Sequence, residues 1–434
     1  MPIDVNTPIS KVLCNNIEIP LKPPVTIQSG EYLVRVVDYD GTVLKEEWLN
    51  EGDVFEMPSQ PSHSNLIFQE WSSPVDVINN TVTVEDQDII IGPVYTTASG
   101  LSEFDITLTK VTGLDVTLNM TGTKNWGDGT IDTSTTHTYA QEGDYTITCD
   151  GTTMSTAYAT QLFGQSSNAD ARNYSVVNIR LTNVSTITGF AISYCSSLST
   201  ITISNSITTI NDSWANFNYS LKTIIFPNNI TRTPSISESY GLQTVVIPKG
   251  VTTIGKINKV YSLKYISIPK SVTTLSNSTF QYCYGLVRVR LPENVQSLPN
   301  SAFQYCFTLQ TAILPETLSS FGNSIFYQCF ALNNIKLSDG IPSINQAFGE
   351  CYTLKKIKIP SSVTSISSGA FRNCYSILEY DFSEHDTPPT LSTANDLSGI
   401  NYACKILVKD QAALEAFQAA TNWSTYADYM YIKE

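Results

Sequence analysis

Nine apolar residues constrain this chain more than any other feature. Leu198, Leu221, Leu242, Leu263, Leu286, Leu309, Leu332, Leu354 and Ile377 recur every 21 to 23 residues. Each opens the phrase L-x-x-I-x-I-P-x-x-V-x-x-I. One copy reads Leu242-Gln-Thr-Val245-Val-Ile247-Pro248-Lys-Gly-Val251-Thr-Thr-Ile254, and another Leu354-Lys-Lys-Ile357-Lys-Ile359-Pro360-Ser-Ser-Val363-Thr-Ser-Ile366. A weaker copy starts at Val176, with Ile179 and Leu181, so the period predicts ten coils. A fixed period in the twenties is the mark of a solenoid. The apolar face of one unit is too small to close alone, and stacked neighbours bury one continuous core.

Each column of the stack has its own physical job. Positions three and five after the leucine, such as Ile201/Ile203, Val245/Ile247 and Ile357/Ile359, alternate with polar residues. That is the period-two pattern of a strand with one buried face. Pro227, Pro248, Pro269, Pro292, Pro315 and Pro360 follow, and proline cannot donate to a ladder, so it ends the strand and turns the chain. Phe280, Phe303, Phe326, Phe348 and Phe371 stand six residues before the leucine, and Cys283, Cys306, Cys329, Cys351 and Cys374 three before it. The cysteines lie 22 and 23 residues apart, which matches the coil and not the short C-x₂₋₄-C pairs of zinc sites. Asn218, Ser239 and Val260 fill the position in other coils. The column is therefore predicted to hold free core thiols, in a slot that needs a small side chain and no particular chemistry.

The phrase A-F-x-x-C-x-x-L-x-x-I-x-I-P-x-x-V-x-x-I resembles the BspA-type leucine-rich repeat of bacterial surface and phage-encoded proteins. Ala302-Phe303-Gln-Tyr-Cys306-Phe-Thr-Leu309 and Ala370-Phe371-Arg-Asn-Cys374 carry it best. The chain departs from the commoner leucine-rich pattern, because proline stands where Asn or Cys follows the strand. The resemblance implies a solenoid over 166–408 and, for function, a binding role.

Before the solenoid the sequence predicts three segments. Residues 1–28, with Pro2, Pro8, Pro20, Pro23 and Pro24, form an extended arm. Its phrase Pro8-Ile-Ser-Lys-Val-Leu-Cys-Asn-Asn-Ile-Glu-Ile-Pro-Leu is similar to the openings of some tailed-phage structural proteins, and it equally suits a plain linker. Residues 29–96 are a β module, with alternation on either side of an Asp40-Gly41 turn that signals a hairpin. With Trp48, Gly52, Pro58 and Phe68-Gln-Glu-Trp71, this module resembles the internalin-type B-repeat, a β-grasp-like spacer. Asp38, Asp40 and Asp53 within it are read as a solvated turn, not a cation site. Residues 97–165 carry Trp126-Gly127-Asp128-Gly129-Thr130 and His137-Thr-Tyr139…Gly143-Asp144-Tyr145-Thr-Ile147. These phrases resemble a PKD-type β-sandwich, with Trp126, Tyr139 and Tyr145 in its core and His137 in a corner hydrogen bond. Residues 409–434, with a helix over Gln411–Ala420 and then Asn422-Trp423-Ser424, are similar to the terminal cap of BspA-type proteins. The fold class expected is mostly β and multidomain: arm, β-grasp-like module, PKD-like sandwich, capped leucine-rich solenoid.

Composition narrows the function. Charged residues are 15% and the net charge is −14, which argues against a nucleic-acid footprint. The longest apolar runs are strand-sized, so no membrane insertion is expected. The start, Met1-Pro-Ile-Asp-Val, lacks the basic and apolar pattern of a signal peptide. Modules of extracellular type without an export device fit a virion protein released by host lysis, its arm held by other virion proteins. A bacterial surface adhesin is the alternative location, and a structural spacer without receptor is a third reading. There is no G-x-S-x-G, H-E-x-x-H or P-loop, and the three histidines fall in different segments. A non-enzymatic protein without cofactor is expected, binding a host cell-surface glycan or protein.

Two stripes are candidates for that binding. An aromatic ladder two residues before each leucine runs Tyr219, Tyr240, Tyr261, Tyr284, Phe307, Phe330, Tyr352, Tyr375. It is either a sugar-binding stripe or, preferably, a packing column on the convex side. On the outward side of the strands, early coils are neutral, with Thr200/Thr202, Thr223/Ile225, Thr244/Val246 and Tyr265/Ser267. Later coils place Arg288, Arg290, Lys336, Lys356 and Lys358 there, with Lys355 beside them. A basic face on an acidic protein suits an anionic polymer. Exposed-strand lysines also deter sheet association.

Overall fold

The structure is a computed structural model that describes residues 11–14, 17–20, 31–97, 104–111, 115–150, 176–182, 184–187 and 192–434. Pro2, Pro8, Pro23 and Pro24 of the predicted arm lie outside the described residues, as do 98–103 and 151–175 of the predicted sandwich and its flank. The chain is mostly β, about 5% helical, with a β-solenoid of about 11 turns and a few helices near its C-terminal end. The turn beyond the ten expected comes from Lys405–Val408, which lies parallel to Glu379–Asp381 although no leucine of the ladder precedes it. Two compact units divide the chain, residues 28–272 and residues 273–434 together with 1–27.

In the unit of residues 28–272, a four-stranded sheet orders Val43–Asn50, Glu31–Val37, Ile89–Thr97 and Leu66–Ser72. The central pair is parallel and both outer pairs are antiparallel. The first hairpin turns where Asp40-Gly41 predicts. Gly41 has φ of 90°, and its amide donates to the Asp38 carbonyl at 3.0 Å. A short antiparallel pair, Val54–Glu56 with Thr81–Thr83, closes a core of Val34, Val36, Phe55, Val82, Ile89 and Ile91.

The next segment builds a sheet from Phe104–Val111, Gly143–Cys149, Lys124–Asn125 and Ile131–Asp132. That sheet does not stop at the segment. Phe104–Val111 pairs antiparallel with Val176–Leu181, the first strand of the solenoid, which pairs parallel with Thr200–Ile203. The edge of the first coil, otherwise a row of unpaired donors and acceptors, is thus covered by a strand from the preceding segment.

Coils in both units have the predicted columns. The inward residues Ile201, Ile224, Val245, Val289, Ile335 and Ile357 are buried. The prolines follow the strands, except at Pro269 where no regular strand precedes, and the proline carbonyl accepts from the amide three residues on, as in Pro248–Val251, Pro292–Val295 and Pro360–Val363. Four residues before each leucine the backbone is left-handed without glycine, at Tyr194, Phe217, Tyr282, Tyr305, Gln328 and Glu350 among others. Such a backbone costs about 1–2 kcal/mol per residue. It is offset because it turns each amide toward the next coil: Tyr305 donates to the Tyr327 carbonyl and Gln328 to that of Gly349.

At the C-terminal end of the other unit, helix Gln411–Ala419 is capped by the Asp410 carboxylate. Phe417 and Trp423 pack with Phe382, and Trp423 Nε1 donates to the Pro389 carbonyl at 2.7 Å. Among the described N-terminal residues, Lys11–Cys14 and Ile17–Pro20 pair antiparallel.

Candidate ligand-binding surfaces

The outward strand face of the early coils is occupied from within its own unit. Ile225 and Val246 join one buried cluster with Leu33, Val37, Ile90 and Val94 of the four-stranded sheet, and Tyr39 and Tyr265 pack against it. Ser267 Oγ donates to the Asp88 carbonyl at 2.5 Å and accepts from the Ile90 amide at 2.9 Å. Ser72 Oγ donates to the Phe226 carbonyl, and Asn228 Nδ2 to that of Trp71. At the rim, Lys249 pairs with Asp76 and Lys270 with Glu85. These coils are neutral because a protein sheet covers them. The partner is strongly acidic, since residues 31–97 hold thirteen carboxylates and two cations.

The later coils keep their cations on one face. Strands Arg288–Arg290, Thr311–Ile313 and Asn334–Ile335 form one parallel sheet, and Lys356–Lys358, Glu379–Asp381, Lys405–Val408 and Met430–Ile432 another. Arg288 and Arg290 are half-buried, and Lys336, Lys355, Lys356 and Lys358 are exposed. Lys336 bonds Glu316 at 2.8 Å and Lys358 bonds Glu384 at 2.5 Å. The Glu316 carboxyl is held below the usual range by this hydrogen bond and the ammonium charge. Both pairs are solvent-exposed and screened by water and salt, so an incoming polyanion can displace them. Glu379 and Asp381, next in register to Lys356 and Lys358, bound the strip on one side.

The aromatic ladder is a stack of rings face to face. Tyr219, Tyr240 and Tyr261 follow one another at 5.1 and 4.4 Å. In the other unit, Tyr284, Phe307, Phe330, Tyr352 and Tyr375 follow at 4.5, 4.7, 5.0 and 6.0 Å, with planes within 16° of parallel. Within each stack the faces a sugar would need are spent on neighbouring rings, and Phe307 and Phe330 are buried. Edges are what most of the column presents.

The cysteine column has a chemistry that its spacing hid. Cys306, Cys329, Cys351 and Cys374 donate their thiols to the carbonyls of Phe280, Phe303, Phe326 and Phe348 in the preceding coils, at 3.1, 3.1, 3.3 and 2.9 Å. Ser239 Oγ makes the same bond to Ala215 O at 3.0 Å, and Asn218 Nδ2 reaches that carbonyl at 3.3 Å. In these coils the Cys or Ser side chain thus bonds the preceding coil, while Val260 fills the same slot without a donor. Burial pushes the Cys374 thiol up to about 12. Eight of the nine cysteines are described as buried free thiols.

One polar site differs in detail from expectation. Asp38 is not solvated: it is 3% exposed and accepts from Tyr95 OH at 2.8 Å, with His63 Nε2 2.7 Å away. Asp40 and Asp53 are exposed, and among the described residues no cluster of metal-ligating groups occurs. His137 Nε2 lies 2.8 Å from Asp128, and its ring stacks on Trp126 at 5.0 Å. Tyr139 OH donates to the Trp126 carbonyl, and its ring stacks on Tyr145 at 4.0 Å. Among the described residues no helix is long and apolar enough to cross a membrane.

Residues 164–258 and 257–378 match the family model of the BspA type leucine rich repeat region, in six copies. No curated protein matches the sequence. Among solved structures, a leucine rich cell surface protein from Faecalibacterium prausnitzii is 22% identical with a TM-score of 0.34, covering 54% of this chain and 72% of that one. A leucine-rich repeat protein from Bacteroides ovatus is 17% identical with a TM-score of 0.34, covering 74% of this chain and 99% of that one. The pneumococcal vaccine antigen PcpA is 15% identical with the same TM-score, over 58% of this chain and 84% of its own.

Proposed function

With residues 164–378 belonging to the BspA-type leucine-rich repeat family, we propose that this chain is a binding protein, not an enzyme, and that the strand face of its later coils takes an anionic polymer of a host cell surface. The repeat family fits adhesion or binding, and no catalytic family is indicated. The observation that carries the ligand class is the exposure of Lys336, Lys355, Lys356 and Lys358 on one face of a chain of net charge −14. Phosphate-bearing glycans would be drawn there by steering and charge-assisted hydrogen bonds.

For location we favour a phage virion, in which the N-terminal arm attaches to other virion proteins. Its support is the phrase from Pro8 to Leu21, which is similar to the openings of tailed-phage structural proteins. The repeat family itself favours the second reading, a bacterial surface adhesin. Detection of the chain in purified virions supports the first reading, and its presence in the wall fraction of uninfected cells overturns it. Charge reversal of Arg288, Arg290, Lys356 and Lys358 together should abolish adsorption to host cells, and wild-type adsorption should weaken with salt. Adsorption that ignores both removes this face as the receptor site.

A further inference from the structure

A second column of side chains, four and five residues before the leucine, changes character part-way along the later coils. Tyr282 and Tyr305 stack in parallel at 4.5 Å. In the next coil the order of Gln304-Tyr305 is reversed to Tyr327-Gln328, and the Tyr327 ring stands at 83° to Tyr305, 5.9 Å away. The ring has somewhere to lie because the following coil has Gly349. A Cβ built there would come within 2.9 Å of Tyr327 Cδ2. Gly349 is not among the glycines with a left-handed backbone, so the missing side chain serves the ring and not the turn.

The rim of this platform is polar and held in place. Glu350 accepts from Tyr327 OH at 3.3 Å, Gln328 Nε2 at 3.1 Å and Tyr352 OH at 3.0 Å. Arg372 Nη2 donates to Tyr327 OH at 3.3 Å and lies 3.8 Å from Glu350. Arginine has five donors, and Nε and Nη1 of Arg372 have no partner among the described residues, with the side chain 47% exposed. A half-buried ring, a second ring at right angles and a fixed fork of donors at the rim suit a flat ligand with one apolar face and hydroxyls at its edge. The Glu350 carboxylate beside Arg372 offsets the guanidinium charge and disfavours an acidic ligand.

We propose that the Tyr327 platform is a sugar-binding subsite that takes the apolar face of a neutral hexose on Tyr327 and its edge hydroxyls on Arg372 and Gln328. It is distinct from the lysine-bearing strand face and independent of the reading given for that face. Affinity electrophoresis of the full chain in native gels cast with mannan, dextran, laminarin or galactomannan tests it, with polygalacturonate as the acidic counterpart. At least one neutral polysaccharide should retard the protein, with little dependence on salt. Tyr327→Ala and Arg372→Ala should each weaken that retardation about tenfold in Kd, whereas Lys356→Glu with Lys358→Glu should leave it unchanged. Gly349→Val, which displaces the ring without removing it, should act like Tyr327→Ala. No retardation in any neutral gel, retardation by polygalacturonate alone, or a Tyr327→Ala protein of native circular dichroism that is retarded as strongly as wild type would each overturn the proposal.

Discussion

Cys329 offers a direct test of what the buried thiol column does. Its side chain is fully buried and its Sγ donates to Phe303 O at 3.1 Å. Cys329→Ala removes one apolar heavy atom, about 1 kcal/mol of transfer and cavity terms, and a neutral hydrogen bond worth about 0.5–1.5 kcal/mol. The Phe303 carbonyl also accepts from the Cys306 amide at 3.1 Å, so it is not orphaned, and the total should stay near 2 kcal/mol. Cys329→Ser keeps the donor in the geometry that Ser239 already shows at 3.0 Å, and should cost about 1 kcal/mol or less. With an m of roughly 3 kcal/mol/M in urea, the two variants should differ by roughly 0.3 M in midpoint. The assay is urea unfolding followed by circular dichroism. A serine variant that unfolds at or below the urea concentration of the alanine variant refutes the donor argument and leaves volume as the only selection on the column.

Burial holds the His385 imidazole below its ordinary range, so the folded state keeps it neutral. A base with a depressed folded pKa contributes stability that is fully present above its unfolded value, about 6.5, and declines as pH falls below it. The urea midpoint should therefore drop between pH 7.5 and 5.5, and His385→Gln should flatten that drop; an unchanged slope sinks the assignment. The Asp381 and Asp386 carboxyls are lowered, so their losses fall below about pH 4 and do not overlap this window. Ile225→Asp would bury an unpaired charge against Leu33 and Val37, at a cost of several kcal/mol. Limited proteolysis should then cut residues 31–97 while the coils resist, and equal resistance of both would show that the packing does not hold them.

The period made the solenoid legible, because every coil repeats one set of demands: Ile247 and Ile359 inward, Pro248 and Pro360 at the turn. Local chemistry made the Asp40-Gly41 hairpin and the Asp410-capped helix readable for the same reason. What remained hidden depends on partners far away in sequence. Ile225 and Val246 stand outward on their strands, and that apolar signal was present, but only the fold shows the sheet that covers them. Glu316 and Glu384 sit 20 and 26 residues from the lysines they pair with, one coil away in space. Ser239 and Asn218 in the cysteine column were the hint that a donor has a partner there, readable once the facing carbonyl is known. Tyr327 is not legible in the period because it breaks its column and does not follow it.

The strand shared between the second segment and the first coil has a mechanical consequence. The chain enters this ladder at Phe104 and leaves it at Leu181, and these two residues are paired with each other. Tension drawn along the chain therefore pulls on one end of the ladder and would open it like a zip, one pair at a time. The sheet of residues 31–97 lies upstream and is packed on the coils through Leu33, Val37, Ile90 and Val94. A pull from its N-terminal side meets that packed face before any force reaches Phe104. The cover over the early coils thus doubles as a strain relief for a joint that would otherwise unzip.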